Sequence, residues 1–100
     1  MAIGGPDYGK RTITSGGLHE QLNVSVTEAD SIGTFTVPVS SVLIRNRGPQ
    51  PIYFELNAAA TTDEMILYAR EWVCINRMVE TVHLICAAGG TATVNLLGVA

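Results

Sequence analysis

From residue 19 onward the chain alternates apolar and polar side chains in short runs, the period of strands that bury one face. In LNVSV, Leu22, Val24 and Val26 share one side while Asn23 and Ser25 take the other, and DSIG then supplies turn residues. TFTVPVS sets Phe35, Val37 and Val39 on one face and Pro38 on the other. Proline cannot donate to a ladder, so this strand is expected at a sheet edge. After SVLIRN, the stretch RNRGPQPIYFELN from Arg45 to Asn57 places Gly48, Pro49 and Pro51 between two runs. It predicts a tight hairpin feeding a strand with Ile52, Phe54 and Leu56 inward and Tyr53 and Glu55 outward. Further on, TVHLICA aligns Val82, Leu84 and Cys86, and TATVNLLGV aligns Ala92, Val94 and Leu96. The glycine pair between them predicts a second hairpin.

Residues 58–79 carry two periods at once. TTDE, Thr61 to Glu64, fits a capping box, and Met65, Ala69, Trp72 and Val73 have helical spacing. MILY and WVCI, however, are short apolar runs around ARE that predict strand, turn, strand. Both remain open on the pattern, which gives six strands, or eight if this region adds two, at the short regular spacing of a sandwich or jelly roll. The expected fold is all-β, an antiparallel β-sandwich of jelly-roll type. One domain spans 19–100, and a glycine-rich extended N-terminal arm spans 1–18.

Composition adds one fact to this picture: charged residues are 15% of the chain, against roughly 25% in ordinary globular domains. Either the domain is simply small and alanine-rich, or part of its surface is covered in an assembly. A net charge of −3 with six scattered basic residues gives no electrostatic footprint for nucleic acid. No apolar run reaches the roughly 18 residues of a bilayer span, and the first residues lack the apolar core of a signal peptide, so synthesis and retention in the cytosol are expected.

Chemistry-bearing motifs are sparse. His19 and His83 have no partner at metal-ligand spacing, and no calcium loop or phosphate cradle is present, so no metal or cofactor is expected. Cys74 and Cys86 lie in apolar runs and are expected as buried thiols, a disulfide between neighbouring strands remaining open. A Cys74–His83 nucleophile and base would lack an orienting third group, and no enzyme activity is expected. Contact surface is the better use of what is left. Arg45 and Arg47 project from one side of a strand, beside Tyr53 if the hairpin pairs as predicted, and Tyr8, Lys10 and Arg11 populate the arm. A carbohydrate-binding module would need outward aromatics on one face, for which Tyr53, Tyr68 and Trp72 are the candidates.

The stretch VLIRNRGPQPIYFELNAAATTDEMILYAREWVCIN, followed by ETVHLICAAGGTATVNLLG, resembles small structural proteins of tailed-bacteriophage virions, over Val42 to Gly98. The shared features are a strand ending in Asn-x-Gly, a Pro-Ile-Tyr strand, an Ala-Thr-Thr loop, a strand pair around a Glu, and a closing Gly-Thr-Ala-Thr-Val strand. YAREW departs from that pattern, standing where a glycine-bearing turn such as Ala-Gly-Glu is expected. The resemblance implies a jelly-roll sandwich that assembles as a homotrimer on the virion and decorates or cements the capsid. Its partners would be itself and the major capsid protein or other virion proteins, with no nucleic acid and no membrane. It would be made in the host cytoplasm and end on the virion. A neck or tail component is the alternative within that class, and a small carbohydrate-binding β-sandwich module is the alternative outside it.

Overall fold

The computed structural model describes residues 19–62 and 64–100, and of His19 the backbone alone. Eight strands follow one another: β1 (His19–Val26), β2 (Ser31–Val39), β3 (Ser41–Pro49), β4 (Ile52–Leu56), β5 (Met65–Leu67), β6 (Trp72–Ile75), β7 (Val79–Ile85) and β8 (Ala92–Val99). They form two four-stranded antiparallel sheets, in the orders β1-β8-β3-β6 and β2-β7-β4-β5. The sheets pack face to face, and Val26, Val42, Ile44, Val94 and Leu96 of the first meet Phe35, Ile52, Phe54, Val82 and Leu84 of the second in one core. Along most of the strands inward side chains fall at every second position, as the alternation in the sequence predicts.

The region 58–79 is strand, turn and strand. Only three residues of β5 and four of β6 pair, and a turn closed by Glu71 N–H to Tyr68 C=O joins them. Arg70 stands in this turn at φ 72°, the left-handed conformation that glycine adopts most easily. Thr61 and Glu64 form a turn, with Glu64 N–H bonded to the Thr61 carbonyl at 3.1 Å, in place of a helix start.

Both predicted hairpins are absent, for one reason. β3 pairs with β8 and β6 whereas β4 pairs with β5 and β7, so Arg45–Asn57 carries the chain from one sheet to the other. Pro49 and Pro51 have no N–H to give a mutual ladder, and Gly48 at φ 85° turns the backbone across the sandwich. β7 and β8 likewise lie in different sheets, and the turn closed by Gly90 N–H to Ala87 C=O is a crossing as well. β4 and β5 are the one consecutive pair joined side by side.

The crossover after β3 is pinned by Asn46, whose side chain is wholly buried. Its Oδ1 accepts the Gly48 N–H at 2.7 Å, and its Nδ2 donates to the carbonyls of Gln50 at 2.9 Å and Leu67 at 3.0 Å. Its backbone bonds Glu71 C=O and Arg70 N–H, tying the crossover to the β5–β6 turn. β2 is an edge strand, as Pro38 requires, but Val37 leaves the face of Phe35 and Val39 and is 42% exposed. Thr34 pairs with Thr81 and Val39 with Val79, so residues 35–38 bulge opposite Glu80 alone and the alternation breaks. The Glu20 carboxylate holds this bulge, accepting from Thr36 N–H at 2.7 Å and Thr36 Oγ1 at 3.0 Å.

Candidate functional site

Each sheet presents one outer face, and the register decides what shares it. On the first sheet, Asn23 lies opposite Asn95, Asn95 opposite Arg45, and Arg45 opposite Trp72, giving one row across all four strands. Residues directly opposite in an antiparallel pair point to the same side. Arg47 Nη1 donates to Asn95 Oδ1 at 3.0 Å, and Asn95 Nδ2 donates in turn to Asn23 Oδ1. A shallow depression beside this row is lined by Gln21, Asn23, Arg47, Gly48, Thr93 and Asn95. A second row runs Gln21, Leu97, Leu43, Cys74. Trp72 is 52% exposed at the edge of the face.

The second sheet has a different character. Ile85, Tyr53 and Ile66 form a row across β7, β4 and β5, apolar but for one phenol, and Ile66 is 36% exposed. A depression lined by Gln50, Pro51, Tyr53 and residues 87–90 continues it. The adjacent row runs Ile32, His83, Glu55.

His83 Nδ1 bonds Asp30 Oδ2 at 2.9 Å and its Nε2 lies 3.2 Å from Thr81 Oγ1, while Asp30 Oδ1 accepts the Ala60 N–H at 3.2 Å. Desolvation pushes the Asp30 carboxyl up, but the hydrogen bonds from His83 and Ala60, with the His83 charge, outweigh it and leave the pKa lowered. Hydroxyl, imidazole and carboxylate thus stand in the order of a hydrolytic triad. The N–H groups of Thr81 and Glu80 are already bound to Asn57 Oδ1, at 3.2 and 2.8 Å, so neither is free to face an oxyanion. What the arrangement does is fasten the β1–β2 loop and Ala60 to β7.

The expected site residues therefore separate. Arg45 and Arg47 lie on the outer face of the first sheet and Tyr53 on that of the second, because the hairpin that would have joined them is a crossing. Tyr8, Lys10 and Arg11 lie outside the described residues. The three candidate aromatics share no face either: Trp72 is on the first sheet, Tyr53 on the second, and Tyr68 in the turn between β5 and β6. Cys74 is exposed on edge strand β6, contrary to the expected burial, because Val73 and Ile75 take the inward positions. Cys86 is buried, which pushes its thiol pKa up, and both cysteines are free. Cys74 and His83 sit on opposite faces and cannot act together. Sequence reasoning missed Ile66 and Ile85 as outward partners of Tyr53; their alternation against Leu67 and Leu84 was the available signal.

Among the described residues, no group of three His, Cys, Asp or Glu side chains is placed to hold a metal ion, and no helix is long and apolar enough to cross a membrane. No protein-family model matches the chain, and no significant match to a curated protein was found.

Proposed function

We propose that this chain is a non-enzymatic β-sandwich module that works by surface contact within a larger protein assembly. The observation that carries this reading is the row Ile85–Tyr53–Ile66, an apolar stripe on the outer face of a sheet. Such a patch is the kind of surface that protein contacts desolvate, and its aromatic member is of the type that anchors interfaces. The strand order β1-β8-β3-β6 over β2-β7-β4-β5 suits a jelly roll, an architecture used by viral capsid domains, lectins and cupins. Within that range, the resemblance of Val42–Gly98 favours a virion component: a homotrimer that decorates or cements the capsid, or a neck or tail part using the same contacts.

Light scattering over a range of concentrations tests the proposal. The expected result is an oligomer whose mass holds on dilution and which Ile66→Glu converts to monomer. A monomeric wild-type protein at all concentrations would overturn the assembly reading. A second reading, a small saccharide-binding module, is favoured by one specific observation: Trp72 stands half exposed in register with Arg45 and the Asn95–Asn23 pair.

A further inference from the structure

We propose that the outer face of the first sheet binds an acidic saccharide, a glycan bearing carboxylate or sulfate groups. The proposal rests on the saccharide reading above and names its ligand class. Charge is the first support. Arg45 and Arg47 both project from this face, and neither the rows Asn23–Asn95–Arg45–Trp72 and Gln21–Leu97–Leu43–Cys74 nor the pair Ser25–Thr93 beside Arg47 contains an Asp or Glu. Arg47 uses one guanidinium nitrogen on Asn95, and the Arg45 guanidinium has no hydrogen bond or ion pair among the described residues. A guanidinium fork in that state is suited to a carboxylate or sulfate, which it can take with two parallel hydrogen bonds.

Shape and the remaining chemistry select a sugar as the carrier of that anion. Trp72, directly opposite Arg45, offers an exposed indole face against which the C–H face of a pyranose can lie. Beyond Arg45, the side chains of Asn95 and Asn23, with Gln21 and Thr93 around the depression, supply both donors and acceptors for hydroxyl groups. Neighbouring strands stand about 4.8 Å apart, so the four-residue row extends about 14 Å, the length of an extended oligosaccharide and not of one ring. An acidic protein partner fits less well, because the core of a protein interface is depleted in charge whereas here two arginines stand on an interior strand of the face. The apolar stripe that such a partner would favour lies on the other sheet.

Trp72 is the only tryptophan, so its emission reports on this face directly. The full chain is titrated with polygalacturonate and with heparin, and in parallel with neutral dextran, neutral mannan and polyglutamate. The expected result is a saturable change in Trp72 emission with an acidic polysaccharide, none with the neutral ones, and affinity at least tenfold weaker in Arg45→Ala/Arg47→Ala. An equal response to dextran or mannan would leave saccharide binding standing and overturn the acidic class. An equal response to polyglutamate would overturn the sugar in favour of an acidic polypeptide, and silence with every polymer would overturn both the inference and the saccharide reading.

Discussion

Asn46 is the place where a single side chain should matter most. It sits at zero exposure and makes three hydrogen bonds, all to backbone groups: Gly48 N–H, Gln50 C=O and Leu67 C=O. Asn46→Ala removes the partner of all three, and the Gly48 and Leu67 bonds lie in the interior, where water does not replace what is lost. At about 1–3 kcal/mol for each buried group left unpaired, two such groups give a loss of roughly 3 kcal/mol, with the Gln50 carbonyl re-solvated in part. Against the roughly 5–15 kcal/mol of a small domain this is a large fraction. It would lower the midpoint of urea unfolding, followed by circular dichroism, by about 1–3 M at an ordinary slope.

Asn46→Asp sharpens the test, since it keeps the shape and the acceptor for Gly48 but turns the amide donors into an oxygen facing two carbonyls. Burial and those carbonyls raise the folded-state pKa of the new carboxyl above its unfolded value of about 3.9. The variant should therefore be closest to wild type below that value, and lose stability as the pH rises through the folded pKa. A loss under about 1 kcal/mol for Asn46→Ala at unchanged slope, or a pH-independent deficit for Asn46→Asp, would refute the reading of Asn46 as a satisfied buried clamp.

Other consequences follow from close approach, backbone conformation and charge. A Cβ built on Gly98 would stand 2.7 Å from Phe35 Cε1 and 2.8 Å from Val39 Cγ1, so Gly98→Val should lower the thermal midpoint, by the roughly 1–3 kcal/mol of an overpacked core. Arg70 at φ 72° is where glycine is easiest, and Arg70→Gly should raise the urea midpoint or leave it unchanged, at most about 1 kcal/mol; a clear loss would mean that the Arg70 side chain itself stabilises the turn. Asp30 has a lowered pKa, so its contribution is present above the unfolded value and lost as the pH falls through the folded one. The stability gap between wild type and Asp30→Asn, measured by urea titration from pH 7 to pH 3, should narrow in that acid range.

The strands were legible because burial imposes its period on each one separately. Val82, Leu84 and Cys86, or Ala92, Val94 and Leu96, declare an inward face whatever lies beside them. Which sheet a strand joins leaves no such mark: the alternation of Ile52, Phe54 and Leu56 is the same whether β4 pairs with β3 or faces it across the core. That is why Arg45 and Arg47 were expected beside Tyr53 and are found a sandwich thickness away. Turn chemistry gave no help, since Gly48 or the Gly89–Gly90 pair will close a hairpin or carry a crossing equally well. Val37 departs from the pattern for a different reason, the bulge at residues 35–38 opposite a single residue of β7, which turns Val37 outward while Phe35 and Val39 on either side of it stay in the core. Helical spacing at Met65, Ala69 and Trp72 lost to strand because β5 and β6 complete the edges of two sheets already defined by longer strands.

The place of β8 between β1 and β3 also governs how the chain can acquire its fold. Among the described residues the sole ladder of β1 is with β8, His19 opposite Val99 and Val26 opposite Ala92, so the first described strand finds its partner only in the last. At about 5–20 residues per second, completing the ladder as far as Val99 waits roughly 4–15 s after Val26 is made. Contacts this distant in sequence place the domain among slow folders, on the millisecond-to-second scale. During that wait the unpaired edges of β1 and β3 are open to other nascent chains. Truncation within β8 would accordingly remove the centre of the first sheet along with its final strand, leaving β1 with nothing to pair against.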